Sequence, residues 1–150
     1  MLINDLILTI KNTDFFSLRN VLNSYNSYDW ENYVVYDENK YCRNKIYSDN
    51  TLEIFIIAWL PNQKANIHDH SENGCWLKVL RGRLTEKKFD ENLNFIEINY
   101  LNDFNNNISF MENKIGFHSI ENNSDSYAIT LHIYSPPNHK TNFLNISFNK

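Results

Sequence analysis

The amino-acid sequence predicts an all-β fold, a small antiparallel barrel or sandwich carrying short helices at its N-terminus. Three observations point to it. From Tyr41 onward, ten short strand-like segments follow one another, each bounded by turn-forming residues. No helical pattern interrupts them, which implies antiparallel pairing of neighbours. The 150 residues are also 42% hydrophobic and 15% aromatic, enough for a packed core and too apolar for a disordered chain.

The first forty residues carry a helical period. Thr13 or Asp14 can cap a helix running through Phe15, Leu18, Val21 and Leu22, and a second short helix is expected from Trp30 to Tyr36. Residues 1–40 are read as a helical cap on a β domain of residues 41–150, together a single domain. Strands are expected at 41–48, 51–60, 64–70, 74–81, 83–89, 94–101, 107–112, 116–121, 126–134 and 142–148. Between them stand turn formers such as Ser48-Asp49-Asn50, Pro61-Asn62, Glu72-Asn73-Gly74, Asp90-Glu91-Asn92 and Asn122-Asn123-Ser124-Asp125. No linker, repeat or low-complexity tract divides the chain.

A formal charge of −4 gives no basic surface for nucleic acid or an anionic membrane. The opening Met1-Leu2-Ile3-Asn4-Asp5 has no basic region leading into an apolar stretch, so no secretory signal is expected. The longest apolar run, Ile54 to Leu60, is far too short to cross a bilayer. Two cysteines, Cys42 and Cys75, exclude a disulfide framework and suit a reducing compartment, so a cytoplasmic location is expected.

Five histidines are candidates for chemistry: His68, His70, His118, His132 and His139. His68 and His70 are two apart in an expected strand and so share a face, forming half of a site for Fe, Zn or Cu. Two surface histidines would read the same way. Tyr41 and Arg43 repeat the spacing with a phenol and a guanidinium, and Thr130, His132 and Tyr134 with a hydroxyl, an imidazole and a phenol. Tyr127, Ile129, Leu131 and Ile133 form the opposite, buried face of that last strand. Period alone also fits a strand with its polar side in water.

The run from Ile67-His68-Asp69-His70 through Gly74-Cys75-Trp76 to Gly82 and Glu86 resembles the first motif of the cupin thiol dioxygenases. The general cupin motif has a Glu where Cys75 stands, and the replacement marks the cysteine dioxygenase family. Ile115-Gly116-Phe117-His118-Ser119-Ile120-Glu121-Asn122 is similar to the second motif, though it lacks the broad cupin Pro-x-Gly approach. Leu131-His132-Ile133-Tyr134-Ser135-Pro136-Pro137 is similar to the family's strand of active-site His and Tyr. The resemblance covers about Tyr41 to Pro137.

The resemblance implies a cupin-type antiparallel jelly roll in which His68, His70 and His118 hold Fe(II). The substrates would be L-cysteine and dioxygen and the product 3-sulfinoalanine. Arg43 would pair with the substrate carboxylate, assisted by Tyr41; Tyr134 would stand near substrate and oxygen, with His132 behind it and Thr130 orienting His132. Cys75 and Tyr134 would form a thioether, and the Ser135–Pro136 peptide would be cis. Three neutral histidines in place of two histidines and a carboxylate make chemical sense for a substrate that brings its own thiolate charge.

Rival readings are a 3-mercaptopropionate dioxygenase, against which Arg43 speaks because that branch generally has Gln there, a non-catalytic metal-binding sensor, and a zinc site activating water. Trp59 and Trp76 are expected in the core or pocket wall, Cys42 in a structural role, Asp69 away from the metal and His139 in solvent. Cys75 also has an ordinary reading as an inert core thiol. The chain reaches Lys150 soon after Pro137, where longer family members continue, so pocket closure is less defined than iron binding. A monomer is expected.

Overall fold

A computed structural model describes residues 1–112 and 116–144. Its strands are β1 (Cys42–Ser48), β2 (Glu53–Trp59), β3 (Lys64–His68), β4 (Gly74–Arg81), β5 (Arg83–Phe89), β6 (Phe95–Asn102), β7 (Ile108–Met111), β8 (Phe117–Glu121) and β9 (Ala128–Ser135). They form a five-stranded sheet in the order β1-β2-β9-β4-β7 and a four-stranded sheet in the order β3-β8-β5-β6. Every ladder is antiparallel, as an expected jelly roll requires.

β2 and β9 are buried on both faces, which explains the near-continuous apolar run from Ile54. Ile54, Ile56, Ala58, Ile129, Leu131 and Ile133 face outward from the sheets and pack beneath the N-terminal helices, against Leu6, Ile10, Leu18, Leu22 and Trp30. Phe55, Ile57, Trp59, Leu77, Val79, Leu84 and Ile120 form a second cluster on the alternate faces, between the sheets. One period-two alternation thus sorts β2 and β9 between two cores. The site side chains of β9 fall on the inner set.

The N-terminal cap differs from the expectation. α1 (Ile3–Lys11) lies outside the expected helices; its signal is the spacing of Ile3, Leu6, Ile7 and Ile10. The segment expected as one helix from Asp14 divides into a 3₁₀ turn, Phe15–Ser17, and α2 (Arg19–Ser24). Asp14 caps the turn, accepting from Phe16 N–H at 3.1 Å. The Phe15 carbonyl, which a continuous helix would offer to Arg19, instead accepts from Trp76 Nε1–H at 2.7 Å. The second expected helix is a 3₁₀ turn over Asp29–Tyr33.

Several strand ends move by a residue or two. Tyr41 and His70 lie just outside β1 and β3, and Tyr127, expected to be buried, precedes β9 and is 39% exposed. The strand expected at 142–148 is represented among the described residues by an isolated bridge between Phe143 and His68; residues 145–150 lie outside them. Two glycines permit close approaches that bring the strands together. Gly82 turns β4 into β5 at φ +81°, and a Cβ there would stand 2.7 Å from the Tyr127 carbonyl oxygen. Gly116, at φ +118°, leads into β8 where a Cβ would meet the Phe89 carbonyl oxygen at 2.3 Å. The Ser135–Pro136 peptide is cis. Among the described residues no helix is long and apolar enough to cross a membrane.

Candidate functional site

β3 and β8 pair so that His68 stands opposite His118, and the chain just beyond β3 brings His70 to the same place. All three side chains are buried. The His68 and His118 ring centroids are 4.6 Å apart, those of His70 and His118 5.9 Å. Among the described residues no group of three or more His, Cys, Asp or Glu side chains is arranged so that it could hold a metal ion as it stands. The three rings are gathered rather than locked.

Hydrogen bonding determines where their lone pairs point. His68 Nδ1–H donates to the Asn66 carbonyl at 2.6 Å, and His118 Nδ1–H donates to Glu86 Oε2 at 3.0 Å. Both Nε2 atoms therefore present lone pairs, and they face each other at 3.1 Å. Only a cation between them, a proton or a metal ion, relieves that repulsion. Two imidazole nitrogens bound at about 2.1 Å and at right angles would stand about 3.0 Å apart, so the spacing fits adjacent ligands of one metal. His70 has two buried ring nitrogens without a hydrogen-bond partner, although the nearby Glu112 backbone slightly favours its charged form. Burial, then the neighbouring His118, pulls the pKa of His68 down to about 3 and that of His70 to about 4. Neutral imidazoles with unsatisfied lone pairs are what a transition metal requires.

Glu86 belongs to this cluster although the sequence reading gave it no role. It sits on β5 and is 1% exposed. Oε1 accepts from Ser109 Oγ at 2.6 Å and from Asn99 Nδ2 at 3.1 Å, while Oε2 accepts from His118. Burial alone would raise its pKa; the hydrogen bond from His118, with lesser help from Lys88 and Ser109, brings it down to about 2. The signal for it is weak, because Arg83-Leu84-Thr85-Glu86-Lys87-Lys88 reads as a solvated strand until β8 is known to lie beside it.

β9 carries Thr130, His132 and Tyr134 toward the interior. Trp59 Nε1–H donates to Thr130 Oγ1 at 2.9 Å, Thr130 Oγ1 lies 2.9 Å from His132 Nε2, and His132 Nδ1 lies 3.0 Å from the Tyr134 hydroxyl. If His132 donated through Nε2, the fully buried Thr130 hydroxyl proton would have no acceptor here. The better-satisfied arrangement runs Trp59 to Thr130, Thr130 to His132 Nε2, and His132 Nδ1–H to Tyr134, freeing the phenolic proton for the pocket. Burial, then the charge of Arg43, lowers the His132 pKa well below the usual range; burial, then Cys75, raises that of Tyr134. Cys75 pairs in register with Tyr134 across β4 and β9, with Sγ 3.8 Å from His132 Nδ1. Burial raises its thiol pKa as well, so it is protonated.

These groups adjoin a cavity of about 180 Å³ lined by Tyr41, Arg43, Ile57, Trp59, Ala65, His68, Ile120, His132, Tyr134, Thr141 and Phe143. It opens past Arg43 to a wider mouth of about 610 Å³ flanked by Lys40 and Lys64. The inner volume is well under the roughly 300 Å³ at which pockets for drug-sized ligands begin. Arg43 is exposed on edge strand β1, yet its guanidinium carbon lies 4.2 Å from the Phe55 ring centroid and 5.4 Å from that of Tyr134. Among the described residues it makes no ion pair. Tyr41 stacks on Trp59 at 4.6 Å. A cleft of about 520 Å³ between Thr85, Tyr100 and Asn123 contains none of the histidines.

One bystander behaves otherwise than expected. His139 is not simply solvated: its Nε2 lies 2.9 Å from Asp69 Oδ1. Asp69 turns away from the imidazole cluster, as its position between His68 and His70 predicts, and also accepts from Asn142 N–H and Nδ2 at 2.8 and 2.9 Å. This holds Thr141 and Phe143 against the cavity. Cys42 is half-buried and unpaired, Trp59 lines the pocket, and Trp76 packs on its far side beneath the helices.

The chain is similar to known proteins along most of its length. The family model for cysteine dioxygenase type I matches residues 3–145. Cysteine dioxygenase type 1 of Rattus norvegicus is 33% identical over 125 residues, covering 78% of this chain and 62% of the rat protein. Its Danio rerio counterpart is 30% identical over 131 residues, covering 80% and 64%. The chain thus spans less than two thirds of the length of these relatives. Among solved structures, a conserved Klebsiella pneumoniae protein with a double-stranded β-helix domain superposes with a TM-score of 0.66 at 14% identity, covering 82% of this chain and all of that one. That likeness establishes the cupin fold.

Proposed function

Since the chain belongs to the cysteine dioxygenase type I family, we propose that it is an Fe(II)-dependent L-cysteine dioxygenase, placing both atoms of O2 on the substrate sulfur to give 3-sulfinoalanine. One observation carries the reading: three buried imidazoles with unmet lone pairs converge beside a pocket whose guanidinium has no carboxylate partner among the described residues. His68, His70 and His118 would hold the iron, which when bound would offer sites for thiolate, amine and dioxygen and carry electrons from the substrate sulfur to the dioxygen.

The chain's own residues do the positioning. Arg43 receives the cysteine carboxylate, a planar guanidinium being suited to bidentate pairing, and Tyr41 braces it from the Trp59 stack. Lys40 and Lys64 give the mouth a positive rim on a chain of net charge −4, favouring entry of an anionic group. The small inner cavity suits a free amino acid. Tyr134, held by His132, directs its hydroxyl proton at the reacting sulfur and oxygen. Cys75 and Tyr134 would join as a thioether in part of the molecules: a bond forms between Sγ and the ring carbon beside the hydroxyl, and the thiol and ring hydrogens pass with two electrons to dioxygen, giving hydrogen peroxide. Two unpaired cysteines suit a cytoplasmic protein. A monomeric state would be most exposed to failure at edge strand β6, where Phe95, Ile96 and Tyr100 are exposed, so sedimentation tests that part.

Oxygen uptake by the Fe(II)-loaded chain, with product identification, is the decisive measurement. Cysteine-dependent uptake yielding 3-sulfinoalanine is expected. Uptake with 3-mercaptopropionate but not cysteine would overturn the substrate, no uptake would favour a sensor, and stoichiometric zinc with hydrolytic activity would overturn the reaction class. In Arg43→Gln the cysteine KM should rise about 10–100-fold, the scale of a lost charged hydrogen bond. An unchanged KM would remove Arg43 from carboxylate binding.

A further inference from the structure

Cys75 stands where the cupin motif places a carboxylate, yet a buried carboxylate remains in the same part of the barrel. We infer that Glu86 is the positioning and charge-setting residue of the metal centre, fixing the direction of the His118 lone pair and lending it negative charge through the ring. The inference rests on the reading of His68, His70 and His118 as metal ligands.

Three neighbouring strands hold Glu86. β8 supplies His118 Nδ1–H at 3.0 Å, β7 supplies Ser109 Oγ at 2.6 Å and β6 supplies Asn99 Nδ2 at 3.1 Å. A glutamine could accept from Ser109 and Asn99 equally well. What glutamate adds is charge, and a buried charge is costly without a close partner. Lys88 does not fill that role: its Nζ is 3.9 Å from Oε1 and is shared with Glu97 at 3.7 Å and the Phe110 carbonyl at 3.2 Å. The closest charge-compatible donor is the imidazole ring whose far nitrogen faces His68. A carboxylate behind a ligating histidine fixes its tautomer and raises its basicity. It thereby strengthens metal binding and favours the more highly charged ion, compensating in part for the missing ligand carboxylate.

The test uses the full chain as wild type, Glu86→Gln, Glu86→Asp and Glu97→Gln. Glu97 shares Lys88 but does not touch His118. Anaerobic Fe(II) titration gives affinity, potentiometry of the loaded protein gives the ferric/ferrous midpoint, and thermal melting checks folding. Glu86→Gln should bind Fe(II) about 10–100-fold more weakly, with a midpoint shifted positive; Glu97→Gln should match wild type in both. Glu86→Asp keeps the charge but draws back from His118, so its affinity should fall while its midpoint stays closer to wild type. A folded Glu86→Gln with wild-type affinity and midpoint overturns the inference. Should Glu86→Gln not fold, unchanged affinity in Glu86→Asp does so. A wild-type chain that binds no Fe(II) defeats the metal reading itself, a failure distinct from a loaded Glu86→Gln that behaves as wild type.

Discussion

Thr130 has one proton to give and two neighbours that need its oxygen. It accepts from Trp59 and donates to His132, and that single assignment determines which nitrogen of His132 faces Tyr134. Valine is close in shape but removes the hydroxyl, so Thr130→Val leaves Trp59 Nε1–H unpaired in the core and frees His132 to exchange tautomers. The Tyr134 proton would then turn back onto His132 Nδ1 and away from the substrate. Thr130→Val is expected to lose about 1–3 kcal/mol of stability. It should keep its iron, lower kcat more than it raises KM, and show a His132 ring nitrogen spectrum changed from Nδ1–H to Nε2–H. Thr130→Ser should restore the wild-type spectrum. An unchanged tautomer in the valine variant would show that Thr130 does not direct the ring.

At the level of elements, the helical cap is fastened to the sheet by a lysine. Lys78 lies on β4, and its ammonium donates to the carbonyls of Leu22 and Tyr25 at the end of α2, both at 2.5 Å. Burial lowers its pKa to about 8, so it keeps its proton at neutral pH and meets the negative end of the helix as a cation. Lys78→Met preserves length and loses both donors. It should cost about 1–3 kcal/mol in urea unfolding without altering iron affinity, since the side chain points to the cap and away from the barrel interior; an unchanged unfolding midpoint would show the clasp to be idle. The cap is also where sequence reading was weakest. Strands were legible because turn formers bound them and period two persists within them, down to the shared inner face of Thr130, His132 and Tyr134. The helix expected from Asp14 broke because Trp76, 61 residues away, takes the Phe15 carbonyl. Glu86 and the Asp69–His139 pair were invisible for the same reason: each is defined by a partner on a distant segment, so local pattern carries no trace of it.

For the whole molecule, the cluster makes the metal-free protein sensitive to acid. His68 and His70 have folded pKa values of about 3 and 4, against about 6.5 for a free imidazole. The folded state therefore refuses protons that the unfolded chain accepts below pH 6.5. Their contribution to stability is complete above that value and declines as pH falls toward 4, by at most about 1.4 kcal/mol per pH unit for each ring. Glu86, held down to about 2 by His118, acts over a lower window: its contribution is present above its ordinary range and is lost as pH falls toward 2. All three terms have the same sign, so no compensating rise is expected from this cluster on acidification. Urea midpoints of the metal-stripped chain should fall steadily from pH 7 to pH 5, and His70→Gln, which cannot titrate, should show about two thirds of the slope, because His132, also depressed by burial, acts alongside His68. Added Fe(II) should raise the midpoint at pH 7 by mass action and lose that effect toward pH 5, because protons and metal compete for the same nitrogens. A flat wild-type profile would mean that the rings are not buried as neutral imidazoles. A metal effect that persisted at pH 5 would mean that the ion sits elsewhere.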